Sequence, residues 1–424
     1  MSNTENTADA GALVIKANPD RKRCVNNKII KRNKIPDEIL NNEQLNMAIE
    51  VLPKNYEFEI HKTIYRIKKA NAKCVALQFP EGLTMFACPI ADIVETFTDA
   101  ETVIMGDVTY GACCVDDFSA RALGCDFMVH YGHSCLISTN LMPDIEILYV
   151  FCYIQIDTKH FVDTVVYNAK NLGIKKIAMF STVQFTIHLK NTKKELEKQG
   201  LEILILKSAP LSQGEVLGCT SPKMDGMGVD CIIYLGDGRF HLESMMIHNP
   251  SIPAYAYDPY NKELTIERYD HDKMRGTRKE AIETASKAKS WGIIMGTLGR
   301  QGAPPVVKDL KKKIAKVTNT EPIIVLLSEI FPSKLRLFSE VDAWVQIACP
   351  RLSIDWGSTF DKPLLSPYEA NVALGICEFA SPYPMDFYAY DSLGPWTPNH
   401  SHNKISIKER NRIRSEAMVN PSGY

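Results

Sequence analysis

The feature that most constrains this chain is an internal repeat. Three short apolar stretches, CVALQF from Cys74, KIAMFS from Lys176 and WGIIMG from Trp291, each lead into a segment with helical spacing. After the first, Leu83, Phe86, Ile90, Ile93 and Phe97 mark one apolar face; after the third, Val307, Leu310 and Ile314 do. A second apolar stretch follows in every unit: TVIMG from Thr102, EILIL from Glu202 and PIIVLL from Pro322. A third opens on aspartate each time, at Asp126, Asp230 and Asp342, with near-constant spacing. Strand, helix, strand, helix, strand, three times over, predicts an α/β protein of three tandem similar parallel-sheet domains.

The expected boundaries follow from the connecting segments. Helical stripes over 157–171 (Phe161, Val165, Val166) and 274–289 place domain one at 36–165, domain two at 166–280 and domain three at 281–390. A helical stretch carrying Ile60, Ile64 and Ile67 precedes the first strand. Residues 1–35 form a polar arm with a loose basic run, Arg21 to Lys34, and 391–424 a tail. The aromatic, turn-rich segment after Ile376 reads as a wrapping strap and not a fourth domain. Length supports this count, since 424 residues exceed one core.

Charge narrows the partners. Lys and Arg total 49 against 50 Asp and Glu, so a direct nucleic-acid role is not expected. No apolar run approaches the ~20 residues of a membrane span, and the first residues lack a signal core. The expectation is a cytoplasmic protein with no membrane partner. Its 12 cysteines are then free thiols or metal ligands. None forms a C-x-x-C pair, so any metal site has to be assembled from distant segments.

Ligands of open parallel sheets bind beyond the carboxyl ends of the strands. Filtering residues by that position leaves one loop cysteine per unit: Cys113, Cys219 and Cys349. The same mouths carry the turn Gly236–Asp237–Gly238 with His241, and also His130, His133, Arg300, Glu329 and Arg351. Cys74, Cys125 and Cys231 lie in or at the start of strands and are expected in the core. Three loop thiolates are compatible with zinc, with a four-iron cluster that leaves one iron open, or with no shared site. SPYEA at Ser366–Ala370 reads as a helix N-cap followed by proline.

LQFPEGL, DVTYGACCVDD, HYGHSCL, LGCTSPK, YLGDGRFHLE, YDPY, GTLGRQG and ACPRLSIDWG, in that order, resemble the diphthamide-synthesis proteins from about Pro36 to Trp396. The resemblance implies three tandem domains around a central pseudo-threefold site, with Cys113, Cys219 and Cys349 as ligands of a [4Fe-4S] cluster. Cys114 is then a packed neighbour of Cys113. S-adenosyl-L-methionine is the implied substrate at the open iron. Its 3-amino-3-carboxypropyl group would pass to a histidine of elongation factor 2, by radical chemistry that spares the adenosyl bond. The implied partners are a homologous second synthase subunit in a heterodimer and a small iron-protein electron donor. The full cysteine set favours the first subunit over the second. Position at the strand mouths adds two expectations: Arg300 or Arg351 meets the substrate carboxylate, and the Gly236–Gly238 turn approaches the adenosyl portion. The competing readings are a non-catalytic scaffold subunit and a zinc-dependent transferase.

Overall fold

A computed structural model describes residues 34–107 and 109–403. The basic run from Arg21 lies outside the described residues apart from Lys34, as does the tail beyond 403. The repeat is real and larger than the sequence pattern suggests. Each unit contains a parallel sheet of four strands whose spatial order is second, first, third, fourth.

In unit one the order is Glu101–Ile104, Cys74–Gln78, Phe127–Tyr131, Glu146–Val150; in unit two it is Glu202–Leu204, Lys176–Ser181, Cys231–Leu235, Ala254–Asp258. Unit three repeats it with Ile323–Leu327, Trp291–Gly296, Ala343–Ile347 and Leu364–Leu365. The registers match as well. Ala76 lies between Val103 and Met128, Ala178 between Leu204 and Ile232, and Ile294 between Val325 and Gln346. Unit two alone adds an antiparallel edge, Glu263–Glu267.

The aspartate opening each third strand explains why that residue recurs. Asp230 accepts from the amides of Lys175 and Lys176, both at 2.8 Å, where its unit's first strand begins. Asp342 accepts from Lys289 and Ser290, both at 3.0 Å, and Asp126 from Lys73 and Cys74 at 3.0–3.2 Å. In return, each aspartate's amide donates to a carbonyl of that same strand start. A short acceptor there satisfies amides at the strand start that the ladder does not reach.

Two expectations need correction. The second crossover of each unit is barely helical: Asp117–Ala122 in unit one and Pro332–Leu335 in unit three, with no helix described between Leu204 and Cys231 in unit two. That last segment holds Gly214, Gly218, Gly226 and Gly228 besides Pro210 and Pro222, which interrupt any helical run. The domain seams also move. The helix Thr158–Leu172, capped by Asp157 and stopped at Gly173, buries Phe161 and Val165 in the unit-two core. The helix His271–Ser286 buries Ile282 and Ala285 in the unit-three core. Each seam therefore falls ahead of its helix, not within it near 165 or 280.

Unit three is further bound by a buried ion pair. Arg278 Nε and Nη2 donate to Glu369 Oε1 and Oε2 at 2.6 and 2.7 Å, and the Tyr383 hydroxyl donates to Oε1 at 3.0 Å. Glu369 also closes the capping box on Ser366, so the short helix Pro367–Ala373 has the start expected from SPYEA.

Candidate functional site

The three loop cysteines come together, although they break the repeat in doing so. Cys113 and Cys219 follow the second strands of their units, whereas Cys349 follows a third strand and caps the helix Pro350–Trp356. What aligns them is the packing of the loops on one another.

Cys113 lies in the tight turn Ala112–Cys114. Its carbonyl accepts from the Arg300 amide of unit three at 2.9 Å. Gly299 has φ +55°, and a Cβ there would stand 2.4 Å from the Cys114 carbonyl. Only glycine lets the two loops approach this closely. Cys219 lies in a small bridged turn, Leu217 to Thr220, and its carbonyl accepts from the Phe387 amide at 3.1 Å. A Cβ on Gly218 would meet the Phe240 ring at 2.1 Å, so this turn too depends on a missing side chain. The Cys349 carbonyl accepts from Gln346 Nε2 at 2.8 Å.

The thiols bear on one another electrostatically. A hydrogen bond to Cys114, then burial, then the charges of Cys114, Cys349 and Cys219 raise Cys113 well above an ordinary thiol. Cys114 is lowered, first by the hydrogen bond from Cys113. Burial and then Cys349 push Cys219 up to about 12, against the pull of Thr220 and Arg351. Burial raises Cys349. Among the described residues, no group of three or more His, Cys, Asp or Glu side chains is arranged to hold a metal ion.

Both arginines act as staples between units. The Arg300 fork spans both Asp117 oxygens at 2.6 Å and stacks 3.9 Å from the Phe118 ring centroid. Arg351, 2 % exposed, donates to Asp355, to Glu243 and to the carbonyls of Phe240 and Gly218. The Arg351 donors are all taken by protein acceptors, and the Nε–Nη2 edge of Arg300 is taken by Asp117, so these two edges are structural forks in this structure. Asp117 and Glu243 went unnoticed in the sequence because nothing local marks a partner in another unit.

Beside the cysteines opens a cavity of about 450 Å³ between units one and two. Ala112, His133, Glu215, Leu217, Asp237 and His241 are among its lining residues, as is Gly238. The Gly236–Gly238 turn, with φ of +158° and +66° at its glycines, reaches this cavity through Asp237 and Gly238. Burial lowers His133 and His241 to about 4 each, and both leave Nδ1 unpartnered. Burial raises Glu215, which accepts from the Ser212 amide at 2.8 Å. Glu215 escaped notice, although it sits four residues before Cys219 in GEVLGC.

The strap closes the other side. The Met385 carbonyl accepts from the Ser221 amide at 2.8 Å, the Tyr388 amide donates to Thr220 Oγ1 at 3.0 Å, and Phe387 and Tyr388 pack in the cluster that Cys113 and Cys219 adjoin. Among the described residues, no helix is long and apolar enough to cross a membrane.

Comparison with known proteins gives concordant results. A protein from Gallus gallus named 2-(3-amino-3-carboxypropyl)histidine synthase subunit 1 is 59% identical over 367 residues, covering 87% of this chain and 88% of its own. The protein of that name from Homo sapiens is 57% identical, over 88% of this chain and 84% of its own. The crystal structure of Dph2 from Pyrococcus horikoshii with a 4Fe-4S cluster superposes with a TM-score of 0.66 at 27% identity, over 80% of this chain and 97% of that one. A second crystal structure of Dph2 from Pyrococcus horikoshii gives 0.64 at 28%, over 76% and 92%. The family described as "Putative diphthamide synthesis protein" matches residues 79–384. By the extent of that match and the identity of these relatives, the chain belongs to the diphthamide synthesis family.

Proposed function

We propose that this protein is the iron–sulfur subunit of a 2-(3-amino-3-carboxypropyl)histidine synthase, a transferase that begins diphthamide formation on elongation factor 2. One observation carries the proposal: the loops bearing Cys113, Cys219 and Cys349, from three separate units, are tied together, by the Arg300 amide on the Cys113 carbonyl and by Arg351 on the Gly218 carbonyl. Three thiols with no histidine among them suit an iron–sulfur group better than a catalytic zinc. The related Dph2 structure with its 4Fe-4S cluster supports the same assignment. When bound, the cluster would supply a reducing electron and an open iron for the sulfonium substrate.

The protein's own part is binding, orientation and exclusion of water. The cavity beside Ala112 is the proposed seat of S-adenosyl-L-methionine, with Asp237 and the backbone at Gly238 toward the adenosyl portion. His133 and His241 stay neutral at physiological pH, so their unpartnered nitrogens are available to hydrogen-bond substrate without adding charge. Arg300 and Arg351 hold the loops in register. In the net reaction the sulfur–carbon bond of the aminocarboxypropyl group breaks and methylthioadenosine leaves. A carbon–carbon bond forms at the histidine ring, and the displaced ring hydrogen departs as a proton. A homologous second subunit and a small iron-protein donor complete the proposed assembly.

Anaerobic purification with metal and sulfide analysis tests this. The expected outcome is four irons and four sulfides per chain and, with the second subunit and reductant, transfer of label from carboxyl-labelled S-adenosylmethionine to elongation factor 2. One zinc and no iron, or no metal at all with labelling intact, would overturn it in favour of a zinc transferase or a scaffold.

A further inference from the structure

The C-terminal strap brings one more polar group to the thiols, and nothing above uses it. Tyr388 is 2 % exposed, and its hydroxyl, fully buried, has no hydrogen-bond partner in the structure. An unpaired buried hydroxyl costs about 1–3 kcal/mol, so such groups are rare unless something absent satisfies them. The surroundings indicate what that is. Tyr388 packs in the apolar cluster against which Cys113 and Cys219 also pack. Its amide is fixed to Thr220 Oγ1, and the preceding amide to the carbonyl of Cys219. Burial, and then the charges of Cys113, Cys219 and Cys349, raise the phenol well above an ordinary tyrosine. Backbone and ring are thus both held against the loops that carry Cys113 and Cys219.

The geometry points to Tyr388 as a positioning residue that donates a hydrogen bond to the Cys113 thiolate once iron is bound, and so raises the reduction potential of the cluster. The inference rests on the proposed function. A donor at a ligand sulfur withdraws electron density from the metal, and the reduced cluster, carrying the extra negative charge, gains more from that donor than the oxidised one does. Loading the site also turns three neutral thiols into acceptors, which gives the phenol the partner it lacks. Tyr388 lies just beyond the segment matched by the family, at 79–384, so the strap extends the site past that segment.

The test is a redox titration of the anaerobically reconstituted protein followed by electron paramagnetic resonance, comparing wild type with Tyr388→Phe. That change removes one oxygen and leaves the packing ring in place. The expected result is unchanged iron content and a more negative midpoint, by an amount equivalent to about a tenfold drop in the reduced-to-oxidised ratio, or about 59 mV for one electron. An exchangeable-proton coupling present in the wild-type cluster signal should vanish in the variant. Phe387→Leu, which disturbs packing in the same strap without removing a donor, should shift the midpoint far less. Equal midpoints for wild type and Tyr388→Phe would overturn the inference. So would a folded Tyr388→Phe protein that takes up no iron, since the hydroxyl would then serve assembly. If wild type itself binds no cluster, the proposed function fails instead, and the two failures are told apart by that single control.

Discussion

The two ends of the three sheets behave differently. At the end where the strands begin, Asp126, Asp230 and Asp342 each bind amides of their own unit, with nearly the same geometry three times. At the end where the strands finish, Cys113, Cys219 and Cys349 come from non-equivalent loops; the first two are held by another unit and by the strap, and Cys349 by Gln346 of its own unit. The aspartates that build each unit repeat and find their partners within it. Residues that meet between units differ from one another.

Substitutions at the two ends should separate the two roles. The largest effect is expected from Cys349→Ala: iron binding falls to background and transfer becomes undetectable, while the circular dichroism spectrum and thermal midpoint stay near wild type. A large loss of stability there would mean that the mouth also carries the fold. Arg351→Met should come next, because it strands the Glu243 and Asp355 carboxylates and frees the Gly218 loop. About 3 kcal/mol of stability should be lost in denaturant unfolding, together with faster loss of iron to a chelator. Unchanged iron release would show that the staple does not support the cysteine turn.

The smallest effect belongs to the opposite end. Asp230→Asn weakens two hydrogen bonds at an exposed strand start, at a cost of about 1 kcal/mol, with iron content unaffected. Those amides hold the Asp230 carboxyl below its ordinary range. Its contribution is therefore complete above the unfolded carboxylate value of about 3.9 and fades as pH falls through the lower folded value. Unfolding curves at pH 7 and pH 3 should differ less for the variant than for wild type.

What could be read in the sequence follows the same division. Strands and helix faces were legible because Cys74–Gln78, Lys176–Ser181 and Trp291–Gly296 carry their apolar pattern locally. The fourth strands were not, since Leu364–Leu365 is two residues long and Ala254–Asp258 ends a turn-rich stretch. Asp230 was visible as a repeat, and its partners confirm it. The cysteines could be singled out by position, but their meeting depends on Gly299 and Gly218, whose need for a bare Cα appears only when Cys114 and Phe240 arrive from elsewhere. The arginines at the strand mouths suggested a substrate contact, yet position alone could not tell that Asp117 and Glu243 already occupy them.

The strap has a consequence for how the molecule is made. It is the last described stretch to leave the ribosome, and it supplies the contacts at Ser221, Cys219 and Thr220. A nascent polypeptide halted before Met385 already carries Cys113, Cys219 and Cys349 but lacks the segment that packs against the first two. Those loops are therefore completed only when the strap has been synthesised.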